Sequence, residues 1–569
     1  MTTDRASRSR GSAPATGRRS TRASTRRDAV SLALDQGLFA ACAEEMGATL
    51  TATAHSPNIT ERLDFSCAIF DSRARLIAQA AHIPVHLGSM PAAAVAALDL
   101  APFAPGDAII LNDPFAGGTH LPDVTLVTPV FLGGRAPDFF VASRAHHADI
   151  GGAAAGSMPL AREIYAEGVR IPPVRLVRGG RIDTDLLRLV LANVRTPDER
   201  RADLAAQLGA QATGARRLAD LAARRSREAL RASASALIRH GERAIAAALR
   251  RLPPGSWRFE DALDDDGLGS GPVRIAAKLT LGRGGLTVDF TGSSPQVAGP
   301  VNTVQPVTQA AVFYVVRVVI GRELPVNHGV FRSIRVIAPV GSVVNARPPA
   351  AVAAGNVETS QRIVDVVLGA FARALPERIP AASYGTMSNL LIGGWDPRRD
   401  APFAYYETLG GGHGAGPGWN GASAMQAHMT NTRNTPIESL EHAYPLRVRS
   451  MRIRRGSGGA GRWRGGDGLI REVELLADTS VTVMSERRAR PPYGLAGGGP
   501  GSVGVNELRE PRRSRTRVRS DSKRSGASVV IRRLGGKFHV DLKAGAVLTV
   551  ASPGGGGHGR TRRPASPRK

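Results

Sequence analysis

What is scarce in this chain narrows its reading before any motif is considered. Of 569 residues only two are cysteine, Cys42 and Cys67. Neither a disulfide framework nor a zinc ribbon can be built from them, so a reducing, cytoplasmic compartment is the expected setting. No run of 18 or more apolar residues occurs, which leaves no candidate transmembrane helix and no expected membrane partner. The N-terminal stretch lacks the apolar core of a secretory signal. Aromatic residues make up only 5% of the chain, and they do not form the aromatic-plus-basic platform on which single strands stack. The Gly-x-x-x-x-Gly-Lys-Ser/Thr pattern of a phosphate-binding loop is missing, so no ATP site is evident.

Acidic residues are also few: 48 Asp and Glu stand against 75 Lys and Arg, a net charge of +27. The excess is concentrated. Residues 1–27 hold eight arginines and one aspartate, residues 511–526 hold seven basic groups and one aspartate, and residues 560–569 hold five basic groups. These segments have little to bury and are expected to be disordered. They would bind phosphates weakly and in a salt-dependent way, and nucleic acid is not an expected partner.

The length predicts two to four domains. The 65 glycines and 38 prolines suit a fold rich in turns and strands. The fold class read from the sequence is α+β (mixed α/β) and multidomain, with strand-rich N-terminal and C-terminal parts around a helical middle segment. The expected units are a mixed α/β segment over 28–182 with the candidate metal site, a helical segment over 183–254, a mixed α/β segment over 255–400 and a Gly-rich β segment over 401–559. Apolar spacing predicts a helix over 28–50, and "LDFSCAIFD" and "RLIAQA" read as paired strands. "VTLVTPVFLGG" and "DFFVASRAHHAD" read as a hairpin. The Ala/Leu/Arg-rich stretch 183–252 reads as two or three long helices broken near Thr196-Pro197. "YYETLGGGHGAGP" and "SPGGGGHG" read as flexible loops.

Three of the 13 histidines, His120, His146 and His147, fall close together with Asp113, Asp123 and Asp149. His120-x-x-Asp123 brings an imidazole and a carboxylate to one spot if the chain turns at Leu121-Pro122. That donor pair suits a divalent first-row metal such as Mn, Fe or Zn. A third ligand would come from His146 or His147, and Glu61, Asp113 or Asp149 would supply a further carboxylate. The alternative is that the aspartates cap turns and the histidines bond internally. "SPNITERLDFS" carries Asn58 and Glu61. "AAGNVETSQR" carries Asn356 and Glu358 ahead of a helix, either as a start signal or as a polar cluster around a substrate. "MTNTRNTPIESLE" carries Thr430, Asn431 and Asn434.

Ordered blocks such as "SPNITERLDFSCAIFD", "ILNDPFAGGTHLPDVTLVTPVF", "RAHHADIGG", "IYAEGVRIPPV", "AGNVETSQRIVDVVLGA" and "SGGAGRWRGGDGLIRE" resemble the hydantoinase B/oxoprolinase family from about residue 30 to 559. The resemblance implies the B-type subunit of an ATP-dependent cyclic-amide hydrolase of the hydantoinase or 5-oxoprolinase type. ATP would be used by an A-type ATP-binding partner, which phosphorylates the substrate's carbonyl oxygen. The alternatives are the metal-holding subunit of an ATP-dependent ketone carboxylase and a non-catalytic scaffold. Carried onto this sequence, the implied ligands are His120, Asp123 and His147, with Glu61 close by. His146 is the implied general base, and Asp149 and Glu358 are further catalytic candidates. Asn58, Asp113, Asn356, Thr430, Asn431 and Asn434 are the implied substrate-binding residues.

Overall fold

The computed structural model describes residues 29–80, 83–321, 324–511 and 529–561. The basic segments 1–27, 512–526 and 562–569 lie outside the described residues, and so does what the sequence predicts for them. The fold is a multidomain mixed α/β arrangement with four sheets. No described helix is long and apolar enough to cross a membrane.

A seven-stranded sheet uses only residues 65–182, in the order Leu76–Gln79, Phe65–Asp71, Phe139–His146, Asp123–Val130, Ala108–Leu111, Val174–Arg178, Arg181–Ile182. Its pairings are antiparallel. The central strands Phe65–Asp71 and Phe139–His146 are buried along their whole length, as strands covered on both faces must be. One face packs on Ala29–Thr53 and Pro197–Arg225, through Phe39, Met46, Val141, Ala206 and Ala210. The helical middle consists of Thr184–Leu191, Pro197–Arg225 and Arg227–Leu249. Their starts are written locally. Asp183 accepts the Leu186 N–H at 3.0 Å, Pro197 opens the second helix, and Ser226 accepts the Ala229 N–H at 3.2 Å.

A four-stranded sheet spans residues 255–337 and contains one parallel pair, Gly285–Asp289 with Ile334–Ile337. Two helices, Gln305–Ile320 and Ser360–Ala374, put Val312, Val315, Val316, Ile363, Val364 and Val367 into the largest apolar core. The remaining two sheets come from residues 389–551 and share a second core around Leu390, Tyr405, Leu446, Val481 and Leu548.

The glycine-rich segments are packed, not flexible. Gly555 donates to the Gly466 carbonyl at 2.9 Å, Gly459 donates to Gly555 at 2.9 Å, and Gly466 donates to His413 at 2.9 Å. Gly557 donates to Gly499 at 2.9 Å. Segments near 412, 460, 499 and 556 therefore lie backbone against backbone. A Cβ on Gly555 would overlap the His413 carbonyl and fall 2.7 Å from the Gly414 nitrogen. The expectation of flexible loops fails because a run of glycines read alone gives no sign of a partner chain that close.

Candidate metal centre

The hairpin register builds the centre. Asp123 opens the strand Asp123–Val130 and pairs directly with His146, the last residue of Phe139–His146. Directly opposed residues on antiparallel strands project to one face. His120 precedes the strand by a tight turn, closed by the Asp123 N–H on the His120 carbonyl at 3.1 Å. Asp123 Oδ1 thus lies 3.0 Å from His120 Nε2 and 3.1 Å from His146 Nδ1. One ligand atom from each of these three buried residues falls within 4.8 Å of the others.

The other oxygen of Asp123 is occupied. Thr119 Oγ1 donates to Oδ2 at 2.6 Å, Asn356 Nδ2 donates at 3.3 Å, and His86 Nε2 lies 3.4 Å away. His86 Nδ1 is in turn 2.8 Å from Ser66 Oγ. Burial opposes ionisation of Asp123, but the surrounding histidines, His120 first, hold its carboxyl well below the usual range. His146 is pushed down by burial, which its bond to Asp123 only partly offsets. His146 Nε2 is buried without a hydrogen-bond partner, and His120 Nε2 has only Asp123 Oδ1 beside it. Two imidazoles and a carboxylate buried together, with one ring nitrogen unpartnered, are a costly arrangement unless an ion joins them, and the N/N/O donor set fits Mn, Fe or Zn.

Two further walls close around the centre. The Tyr406 ring, from the strand Ala401–Glu407, stacks on His146 with centroids 4.5 Å apart. Arg62 lies over the same Tyr406 ring at 4.7 Å and donates to the Asn58 side chain at 3.2 Å. A π-helical turn, Gly355–Thr359, carries Asn356 and Glu358; such turns recur at functional sites. Gly355 is required there, because a Cβ would overlap the Asn302 carbonyl. Glu358 Oε1 accepts from Met387 N at 3.0 Å and from Asn389 Nδ2 at 2.7 Å. The Tyr406 hydroxyl donates to Asn389 at 2.9 Å. Glu358 Oε2 is unpaired, and burial raises this carboxyl to about 7.

The structure gathers His120, Asp123, His146 and Asn356, places Glu358 in the surrounding wall through Asn389 and Tyr406, and does not gather the rest. His147 faces away: its Nε2 is 3.0 Å from Gln207 of the helix Pro197–Arg225, and burial pushes it down to about 4. The expectation that His147 rather than His146 joins His120 and Asp123 is corrected by strand alternation. Glu61 is outside the clustered group. Asp149 accepts from the Gly151, Gly156 and Arg195 backbones and pairs with Arg195 at 2.9 Å, which makes it a loop anchor. Asp113 caps a turn through the Phe115 N–H at 3.0 Å and pairs with Arg170 at 2.8 Å. Asn58 lies behind His146, its Nδ2 3.5 Å from the His146 carbonyl. Thr430 bonds Thr432, Asn434 donates to the Thr408 carbonyl at 2.9 Å, and Asn431 is exposed. Sequence reasoning did not nominate His86, Thr119, Arg62 or Tyr406. Only Thr119 carried a usable signal, as the neighbour of His120 in the same turn.

Comparison with known proteins fixes the relationship. The hydantoinase B/oxoprolinase family model matches residues 28–561. The chain belongs to this family. Among curated relatives, 5-oxoprolinase 1 of Arabidopsis thaliana is 38% identical over 561 residues, 94% of this chain but 42% of that protein. A putative B-type component of a D-/L-hydantoinase from Pseudomonas sp. (strain NS671) is 30% identical over 502 residues, covering 85% of this chain and 84% of that component. The crystal structure of the ATP-dependent caprolactamase from Pseudomonas jessenii superposes with a TM-score of 0.84 at 30% identity, covering 95% of this chain and 92% of that one. Nucleotide-free acetone carboxylase superposes with a TM-score of 0.85 at 19% identity, covering 94% and 76%, and shares the fold. This hydantoinase B/oxoprolinase chain thus spans under half the length of the 5-oxoprolinase and most of the separate hydantoinase component.

Proposed function

We propose that the chain is the ring-opening, B-type component of an ATP-dependent cyclic-amide hydrolase. In this reading a divalent metal ion is held by His120, Asp123 and His146. ATP is used by an A-type ATP-binding partner that phosphorylates the carbonyl oxygen of the ring amide. The observation that carries the reading is the buried His120–Asp123–His146 group, whose ligand atoms lie within 4.8 Å of one another and whose His146 Nε2 has no partner. The names of the relatives support the substrate class, since oxoproline, hydantoin and caprolactam are all cyclic amides. The two free, buried thiols suit a reducing cytoplasm.

A ring amide resists water because resonance makes its carbonyl a weak electrophile, and phosphorylation of the oxygen removes that protection. Held by His120, Asp123 and His146, an ion would supply Lewis acidity to water and to a carbonyl oxygen. The chain's own groups do the rest. Thr119, Asn356 and His86 hold Asp123 Oδ2, which turns Oδ1 toward the histidines. Tyr406 covers one face of His146 and keeps water from it. Glu358, with a carboxyl near neutrality, retains a proton that can pass to the departing ring nitrogen.

The test is co-expression with the A-type partner, followed by ATP-dependent assays on N-methylhydantoin, 5-oxoproline and acetone in parallel. Ring opening that requires ATP and disappears in His120→Ala is expected. Carboxylation of acetone in place of ring opening overturns the hydrolase reading. Full activity and unchanged metal content in His120→Ala overturn the metal reading and favour a scaffold.

A further inference from the structure

The block "IYAEG" carries family resemblance, yet none of its residues touches the metal centre. Its glutamate, Glu167, ends the 3-10 turn Ile164–Ala166 and is completely buried. Two main-chain links bind this turn to the segment that runs into the π-helical turn. Ile164 N–H donates to the Pro349 carbonyl at 2.8 Å, and Glu163 forms a bridge with Ala350. Glu167 extends the link: its Oε1 accepts from both Val352 N and Ala353 N, each at 2.9 Å. The Ala353 carbonyl so placed lies 3.3 Å from His120 Nδ1.

We propose that Glu167 is a positioning residue for the metal centre: by pinning the Val352–Ala353 peptides it aims the Ala353 carbonyl at His120 Nδ1. A carbonyl can only accept, so a proton is held on Nδ1, and Nε2 is the nitrogen left beside Asp123 Oδ1 to meet an ion. The partner of the second ring nitrogen is what sets a ligating histidine's tautomer and orientation. Geometry carries this inference. Burial also raises the Glu167 carboxyl to about 8, so near neutral pH it is protonated and acts through a carbonyl-type oxygen. Glutamine keeps that acceptor and alanine deletes it. Because Ala353 is two residues from Gly355, the same anchor sets where the turn bearing Asn356 and Glu358 begins.

The consequence for metal affinity rests on the proposed metal reading, whereas the consequence for His120 does not. The experiment uses the full chain, with histidine ring 15N NMR on metal-free protein and Mn2+ titration of the same samples. The His120 signal is assigned by its loss in His120→Ala. Wild type and Glu167→Gln are expected to hold a proton on His120 Nδ1, whether or not Nε2 also carries one toward Asp123, and Glu167→Ala to lose full Nδ1 protonation. Mn2+ affinity is expected to fall about 10- to 100-fold in Glu167→Ala and to stay near wild type in Glu167→Gln. A folded Glu167→Ala chain that keeps His120 Nδ1 fully protonated overturns the inference. So does Glu167→Gln behaving like Glu167→Ala. Wild-type protein that shows the Nδ1 proton but binds no Mn2+, Fe2+ or Zn2+ overturns the metal reading and leaves the positioning of His120 standing.

Discussion

His146 and His147 are adjacent in the chain and serve opposite faces of one sheet. The first lies 3.1 Å from Asp123, and the second lies 3.0 Å from Gln207 on a helix behind the sheet. The pair separates cleanly by mutation. His146→Ala is expected to abolish stoichiometric metal binding, as are His120→Ala and Asp123→Ala. His147→Gln is expected to retain the metal. Metal analysis of the purified variants checks this, and loss of the ion from His147→Gln but not from His146→Ala would reverse the assignment.

Thr119 makes the shortest bond to the non-clustered oxygen of Asp123, at 2.6 Å. Thr119→Val conserves shape and removes the donor. Partners of this kind typically contribute 10- to 100-fold to metal affinity, so the expected loss is about 10- to 100-fold. Isothermal titration with Mn2+ measures it. An unchanged affinity would mean that Asp123 is oriented without Thr119.

The Glu358 carboxyl is raised by burial to about 7, against an ordinary value of 4.5. Its contribution to stability is therefore fully present below pH 4.5 and is lost as the pH rises through 7. Glu358→Gln, which stays neutral throughout, is expected to gain on wild type as the pH goes from 5 to 8. Denaturant midpoints of both proteins across that range provide the comparison. Parallel curves would show that Glu358 does not titrate in this window.

Two glycines should respond oppositely to alanine. Gly555 has the His413 and Gly414 backbone where a Cβ would go. Gly555→Ala is expected to cost at least the 1–3 kcal/mol of ordinary overpacking, about that or more because backbone cannot swing aside. Gly209 lies exposed within the helix Pro197–Arg225 with nothing within 4 Å of its would-be Cβ. Gly209→Ala is expected to add up to about 1 kcal/mol. Thermal melts of the two variants are sufficient to test this.

Local signals made much of the fold readable. The helix expected over 28–50 is Ala29–Thr53, and the predicted hairpin is the pair Asp123–Val130 and Phe139–His146. The break near Thr196-Pro197 falls between two helices because proline opens the second. The site was readable only where its parts are close in sequence. His120 and Asp123 share one turn, and strand pairing then delivers His146 in place of His147, a choice of face that depends on register. His86, Asn356 and Tyr406 reach the centre from three other elements. Their convergence is a property of the tertiary fold, and no spacing rule encodes it.

The interlocked glycine segments impose an order on how the molecule can be made. The strand of backbone at 554–557 lies between pieces from near 412, 460 and 499. A ribosome delivers it after all the others, and until then the Gly466 and Gly499 carbonyls lack the N–H groups of Gly555 and Gly557. Closure of this region is a long-range event of the kind that slows folding. The nascent chain must shelter half-made glycine ribbons until its last stretch threads home, and a chain cut short before residue 554 would leave that wall of the molecule unzipped.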